Sequence, residues 1–349
     1  MGFIEILTDN GLTQEQWDDK LFTEYIGMLQ WKHYMGQSTD AIIQVKEELT
    51  KEPGDAITIG IRGRVIGGKV TGNAKLKGNE GTVEFFDQRI SVDNVRRGIK
   101  FEDVHMSKKR TGFDLLNQGR EALDEIFHED LDDAITDGLT DTSVGRVRGR
   151  YLYGSKDSNW NATHATALQG IDNTDDKLTV DMVSIAKRKA LIPVNALTKM
   201  RPMRVKTGKD FEQWFCLKIH TYAARDLTTH DAVWRNAQLN IPPGDRDDSP
   251  LFKGSAFKGG YDGVLYYEYD RLPLITSTIQ VAHNLLLGAQ AAAVVWGQRA
   301  KFASEEDDYG HDIGYELHEI RGVKKLVFSR STPEDHGVVN VFSAAMADV

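Results

Sequence analysis

Four short stretches combine residue types and spacings that could do chemistry. Gly63-Arg64-Val65-Ile66-Gly67-Gly68-Lys69-Val70 follows the phosphate-loop pattern, in which backbone N–H groups cradle phosphates and a lysine reaches them, up to its last position. There the pattern needs a Ser or Thr hydroxyl as a magnesium ligand, and Val70 has no side-chain oxygen. The loop also needs a helix directly behind it, with its N-terminus facing the anion. Thr71-Gly72-Asn73 instead continues a glycine-rich run, so a flexible basic hairpin is the better reading. The spacing of His128-Glu129-Asp130-Leu131-Asp132 approaches a helical zinc-protease motif, but Asp132 stands where the second His belongs, and a charged, solvated helix face accounts for it better. Glu305-Glu306-Asp307-Asp308 could attract a hard cation, yet it lacks the alternating oxygens and central Gly of a calcium loop and reads as an acidic loop ending a helix. Cys216 lies in the strand-like run Trp214 to His220; His220, four positions on, would share its face, but an inert buried thiol is the default.

None of these stretches meets its own chemical requirements. The sequence therefore nominates no catalytic residue, no cofactor-binding residue and no metal ligand. Two further motifs are also discounted. Residues 96–110 carry Arg96, Arg97, Lys100, Lys108, Lys109 and Arg110, which could touch phosphates, but only Phe101 offers the aromatic interleaving that nucleic-acid binding favours. Pairing with an acidic helix downstream, within or between subunits, is preferred. Asn161-Ala162-Thr163 has the glycosylation pattern, but no export signal precedes it.

The elements that would position these residues follow from composition and period. A chain of 349 residues suggests about two domains. With 40% apolar and 27% charged residues it is a globular chain, and its net charge of −9 has the wrong sign for a protein that coats nucleic acid. One cysteine excludes an internal disulfide and suits a reducing cytoplasm. The N-terminus carries neither an export nor an acylation pattern. The most apolar run, Leu285 to Trp296, is about half a bilayer span and contains Gln290, so it reads as part of a buried helix over 279–302.

Residues 12–50 place Trp17, Phe22, Tyr25, Ile26, Leu29 and Trp31 at helical spacings, which predicts short amphipathic helices leaning on something else. Ile57, Ile59 and Ile61 alternate, and Val83 to Val92 is rich in β-branched and aromatic types, which predicts two strands. Between them, residues 60–81 hold seven glycines and a net charge of +4. A two-stranded ribbon with such a tip cannot bury its own faces and must dock on a neighbouring subunit. Phe113 to Gly138 reads as a long helix whose apolar stripe (Leu115, Leu116, Ala122, Leu123, Ile126, Phe127) decays after Phe127. A helix capped by Thr179 or Asp181 runs to Leu191, a strand pair spans 201–206 and 214–220, and Tyr222 to Gln238 is helical. Strands are predicted over Val264 to Tyr269, Lys325 to Phe328 and Gly337 to Phe342.

Seven phrases then stand in a familiar order: Leu76-Lys-Gly-Asn-Glu80, Asp87-Gln-Arg-Ile-Ser-Val-Asp93, Gly260-Tyr-Asp-Gly-Val-Leu265, Leu286-Leu-Gly-Ala-Gln-Ala291, Asp308-Tyr-Gly310, Lys324-Lys-Leu-Val-Phe328 and Asp335-His-Gly-Val-Val339. From about residue 55 to the end, the chain resembles the major capsid proteins of tailed bacteriophages, which share the α+β Hong-Kong-97-type fold. That resemblance implies an N-terminal arm over 1–54, an extended E-loop over 55–95 and a P-domain over 96–200 with a spine helix at about 110–138. An A-domain over 201–349 would follow, with the terminal strands returning to the P-domain sheet. It also implies a non-enzymatic subunit whose partner is itself, in pentamers and hexamers tiling an icosahedral shell around double-stranded DNA touched non-specifically. No membrane, metal or cofactor is implied. A separate scaffolding protein is expected, since the E-loop pattern begins near residue 55, together with a portal and possible decoration proteins. Assembly would take place in the host cytoplasm. Lysine to asparagine crosslinking, at Lys75 or Lys77, is not expected, because nothing marks an Asn and Glu partner. The alternatives are a soluble enzyme with an atypical phosphate site at Gly63–Lys69 and an encapsulin-like nanocompartment shell protein.

The charge is unevenly spread. Residues 111–141 set Arg120 against ten carboxylates, which equals the whole net charge of −9. A basic segment therefore precedes an acidic rod in an otherwise balanced chain.

Overall fold

The computed structural model describes residues 30–51, 53–63, 65, 67–105, 115–192, 199–207, 210–239, 256–329 and 332–346. The predicted helices before residue 30, and Lys108, Lys109 and Arg110, lie outside them. Two sheets, one ribbon and one long helix make the frame.

The helix runs Leu115–Thr140. Leu123, Phe127, Leu131, Ile135 and Leu139, four residues apart, are all buried, each burial contributing about 1.5–3 kcal/mol. The stripe therefore does not decay after Phe127; it is most buried there. A second row, His128, Asp132 and Thr136, is buried beside it, while Ile126 is exposed. Backbone carbonyls one turn back take up part of this polar row: the His128 Nδ1 donates to the Asp124 carbonyl at 2.7 Å, and the Thr136 hydroxyl donates to the Asp132 carbonyl at 2.8 Å. Gly119 lets this helix approach closely, since a Cβ there would stand 2.1 Å from the Phe101 ring.

Beneath the helix lies a five-stranded sheet in the order Met35–Gly36, Ile43–Lys46, Ala292–Asp307, Asp312–Lys325 and Asp93–Phe101. Its centre is a long antiparallel hairpin, registered from Ala292 opposite Lys325 to Asp307 opposite Asp312. Residues 30–50 thus form two 3-10 turns and two short strands rather than the amphipathic helices expected for that part of the arm. The acidic run 305–308 ends a strand, not a helix.

The eight-stranded sheet runs Tyr151–Tyr153, Val338–Ala344, Gln280–Leu287, Asp210–Ile219, Val264–Glu268 and Phe257–Tyr261. Leu274–Thr276 pairs with Gln280–Leu287, and Met203–Thr207 with Asp210–Ile219. The helix expected over 279–302 is overturned: Gln280–Leu287 is a central strand of this sheet and Ala292–Asp307 belongs to the other. Both faces of that central strand are covered. Leu285 and Leu287 join the cluster under the long helix, and Ala282 and Leu286 join the cluster beneath the helices Val180–Leu191, Thr221–His230 and Ala232–Leu239. Such a strand reads as a continuous apolar run and lacks the alternation that separates strand from buried helix. The strands that return to the sheet under the long helix are 292–307 and 312–325; the terminal strand Val338–Ala344 lies in the eight-stranded sheet instead.

The ribbon pairs Ala56–Arg62 with Phe85–Ser91, and the latter strand continues through Val92 into Asp93–Phe101 of the five-stranded sheet. The predicted helix after Thr179 is observed, with the Thr179 hydroxyl accepting from the Met182 N–H.

Candidate assembly interface

The ribbon is buried only at its root. Ile57, Ile59 and Ile90 pack on Ala293, Val295, Leu326 and Phe328. Gln88 locks this root like an extra rung: its amide donates to the Lys325 carbonyl at 3.0 Å, and its side-chain oxygen accepts from the Val327 N–H at 2.6 Å. Beyond the root the ribbon leaves the body. Phe85 is 75% exposed, Val65 58% and Leu76 53%, and Arg62, Lys69, Lys75 and Lys77 stand in solvent beside them. The arms close on each other at Gly68, whose φ of +82 and separation of 2.3 Å between an added Cβ and the Gly81 nitrogen admit glycine alone. Gly63 continues the ladder, its N–H donating to the Glu84 carbonyl at 2.7 Å. The described residues of Gly63–Lys69 are irregular backbone, and only turns follow them up to residue 80, with no helix behind. That removes the geometry a phosphate site requires.

The basic segment and the acidic rod do meet inside one chain, among the described residues through Arg97. Arg97 forks onto Asp130 with two bonds of 2.6 Å. Arg96 turns to Glu316 at 2.5 Å and Lys100 to Asp312 at 3.0 Å, both on the hairpin. A second cation for the rod comes from far along the chain: Arg271 reaches Glu129 at 2.8 Å and Asp133 at 2.9 Å. Asp130 and Asp133 are therefore ion-pair partners on the rod's surface.

Below the rod lies a group no motif marks. Lys218 is buried in a cage of four aromatic rings, Tyr34 at 4.4 Å, Trp31 and Tyr267 at 5.0 Å and Tyr269 at 5.5 Å from its Nζ. Burial pulls its ammonium below the ordinary lysine range, opposed by Cys216 and Asp132 nearby. Burial likewise pushes the Cys216 thiol up to about 11, which makes it inert and removes the nucleophile reading. Asp132, pushed by burial to about 6, receives hydrogen bonds from the backbone of Gln30 and Trp31. Cage and carboxyl together fasten the point where the N-terminal arm enters the body. His128 and Asp132 are therefore structural, and the solvated-face reading fails for both: each is under one-tenth exposed. No group of three or more potential metal ligands occurs among the described residues.

Sequence reasoning also missed three buried ion pairs. Arg150 meets Glu334 at 3.3 Å, Lys325 meets Asp335 at 2.9 Å and Arg321 meets Glu319 at 2.5 Å. The partners in the first pair lie on opposite sides of the chain's midpoint, so nothing local announces it. His220 accepts from the Tyr222 N–H as a helix cap and makes no pair with Cys216.

A body with closed apolar cores, an inert buried thiol and a ribbon that exposes aromatic and aliphatic residues defines a protein built to pack against other protein chains. The chain belongs to the phage capsid protein family, whose model matches residues 7–347 and whose members are structural proteins, not enzymes. It is 22% identical to the major capsid protein of Pseudomonas phage KPP25, over 89% of this chain and 90% of that protein. Among solved structures it is similar to the cyanophage Pam1 capsid (TM-score 0.77, 24% identity, 91% and 92% of the two chains covered). The capsid of Ralstonia phage GP4 is also similar (TM-score 0.74, 22% identity, 91% of each chain covered). The fold is thus the Hong-Kong-97-type α+β capsid fold, with the ribbon as its E-loop and Leu115–Thr140 as its spine helix.

Proposed function

We propose that the chain is the major capsid protein of a tailed phage, which self-assembles into pentamers and hexamers that tile the icosahedral shell around the double-stranded DNA genome. The observation that carries this is the ribbon, which leaves Phe85, Val65 and Leu76 in water on a chain matched nearly end to end by a capsid family. Exposed clusters of this kind mark protein interfaces. The structural family and the irregular, helix-free backbone around Gly63–Lys69 leave the enzyme alternative without support.

The sheet under the spine helix serves as the P-domain and the eight-stranded sheet with its helices as the A-domain. The arm and E-loop occupy 1–54 and 55–95, and the two domains share residues 96–349. A separate scaffolding protein directs closure, a portal occupies one vertex, decoration proteins are possible partners, and assembly takes place in the host cytoplasm. DNA is held without base readout, in keeping with a net charge of −9. Electron microscopy of the purified or scaffold-coexpressed protein tests this reading. Closed shells are expected, and discrete monomers or dimers under every assembly condition refute it. Denaturing gels of the particles are expected to show a single 39.1 kDa band, without crosslinked ladders.

A further inference from the structure

Two short crossings join the sheets. One leads from Gln280–Leu287 of the eight-stranded sheet to Ala292–Asp307 of the five-stranded one, and the other leads back from Asp312–Lys325 to Val338–Ala344. They are bonded to each other: the Gly288 N–H donates to the Gly337 carbonyl at 2.9 Å, and the Leu326 N–H to the Ala291 carbonyl at 3.0 Å. Where they meet, a carboxylate gathers donors from both sheets. Asp335, in the second crossing, has the Lys325 ammonium 2.9 Å from one oxygen, and its other oxygen accepts from Lys325 at 3.1 Å and from the Asn340 amide at 2.9 Å. The Asn340 side-chain oxygen accepts in turn from His283 at 2.8 Å. Lys325 ends a strand of the five-stranded sheet, whereas Asn340 and His283 belong to interior strands of the other. All four side chains are buried.

The same two residues also hold the outlying elements. The Lys325 ammonium donates to the Asp141 carbonyl just past the spine helix, the Asp335 N–H donates to the Gly145 carbonyl at 3.3 Å, and the Lys325 carbonyl accepts from Gln88 at the ribbon root. Spine helix, ribbon and both sheets therefore take their relative bearings from one ion pair. Stability does not account for placing charges there. Replacing a buried ion pair by uncharged residues of similar volume is often neutral or stabilising, because desolvation cancels much of the attraction. What the charges add is direction. Apolar side chains slide past one another at little cost, whereas charge-assisted hydrogen bonds converging from two sheets are all satisfied at one orientation. Glu319 and Arg321 provide the contrast: this buried pair lies two residues apart on a single strand.

We propose that Lys325 and Asp335 are positioning residues for assembly: their pair fixes the angle between the two sheets, and through it the curvature at which neighbouring subunits meet. This rests on the capsid reading and names residues that set the geometry of the shell. Contacts between identical chains close only if each subunit presents its surfaces at one angle, since a rotational error repeats at every contact around a ring.

Removing both charges at nearly constant volume in the full chain tests it. Lys325→Met with Asp335→Asn leaves Asn340 an acceptor, and the subunit is expected to fold with a denaturation midpoint close to that of wild type. Its particles are expected to lose uniformity in electron micrographs, with diameters spread at least about threefold wider than wild type or with shells that fail to close. Glu319→Gln with Arg321→Met, the same neutralisation within one strand, is expected to give shells of wild-type diameter and spread. Lys325→Met alone is the gentler second variant. Burial already pushes the Asp335 carboxyl up to about 6, so it takes up a proton once its cation is gone, and the same loss of uniformity is expected. Wild-type protein that never assembles overturns the capsid reading itself. Wild-type shells alongside folded variants at 325 and 335 that match them in diameter and spread, or a Glu319 and Arg321 variant that spreads as widely, overturn the positioning role alone. Failure of both 325 variants to fold overturns it as well, because the pair would then support the fold and not its angle.

Discussion

The E-loop and the spine-helix body handle exposure in opposite ways. The body buries groups that normally face water, Lys218, His283 and three ion pairs among them, each beside a polar partner or inside an aromatic cage. The E-loop exposes residues that normally avoid water, Phe85 foremost, and has its partner strand for support. Stability and assembly are thereby separated. The body closes on its own contacts, whereas the loop's apolar surface stands in water in the single chain and is covered by another subunit in the proposed shell.

That contrast can be broken first at the body. Phe127→Ala removes a fully buried ring from the spine-helix row, and a loss of about 3–5 kcal/mol in chemical denaturation is expected. Lys218→Ala empties the aromatic cage and is expected to cost about 2–4 kcal/mol. Lys218→Met keeps the volume and removes a desolvated charge, so it is expected to stay within about 1 kcal/mol of wild type. A Met variant as damaged as the Ala variant would show that charge, not packing, holds the arm.

Acid sharpens the comparison next. Burial holds His283 down to about 3 and His336 down to about 4, below the unfolded value near 6.5. The unfolded chain therefore takes up protons first as pH falls through 6.5, and each histidine is expected to cost about 2 kcal/mol by pH 4.5. Glu319, pushed by burial to about 7, has the opposite sign: its contribution is full below the unfolded carboxylate value and is lost as pH rises through 7. The two contributions oppose each other over the same window, so single variants separate them: between pH 8 and pH 4.5, His336→Gln should shift the change in midpoint towards greater stability in acid, and Glu319→Gln should shift it the other way. The smallest effect on folding belongs to the loop. Phe85→Ser is expected to change subunit stability by less than about 0.5 kcal/mol while shell yield falls severalfold.

Much of this arrangement is legible in the residues. The alternation at Ile57, Ile59 and Ile61 marks the ribbon, the Thr179 cap marks its helix, and the glycines of 60–81 mark the tip. Sequence reasoning fails where tertiary contacts override period. Leu285 to Trp296 is apolar at nearly every position because its strands are covered on both faces, which mimics a buried helix. The buried row His128, Asp132 and Thr136 resembles a solvated face because its partners, the Asp124 carbonyl and the arm backbone at Gln30 and Trp31, are invisible to a helical wheel. Lys218 gives no signal, since its cage is drawn from residues 31, 34, 267 and 269.

Hydrogen exchange over residues 56–91, compared between free subunits and assembled shells, tests the separation of folding from assembly most directly. The account predicts that amides of the root around Ile57, Ile59 and Ile90 are protected in both states, while those of the tip from 65 to 85 exchange freely in the subunit and slow by at least about tenfold in the shell. Tip amides that exchange equally fast in both states would contradict it.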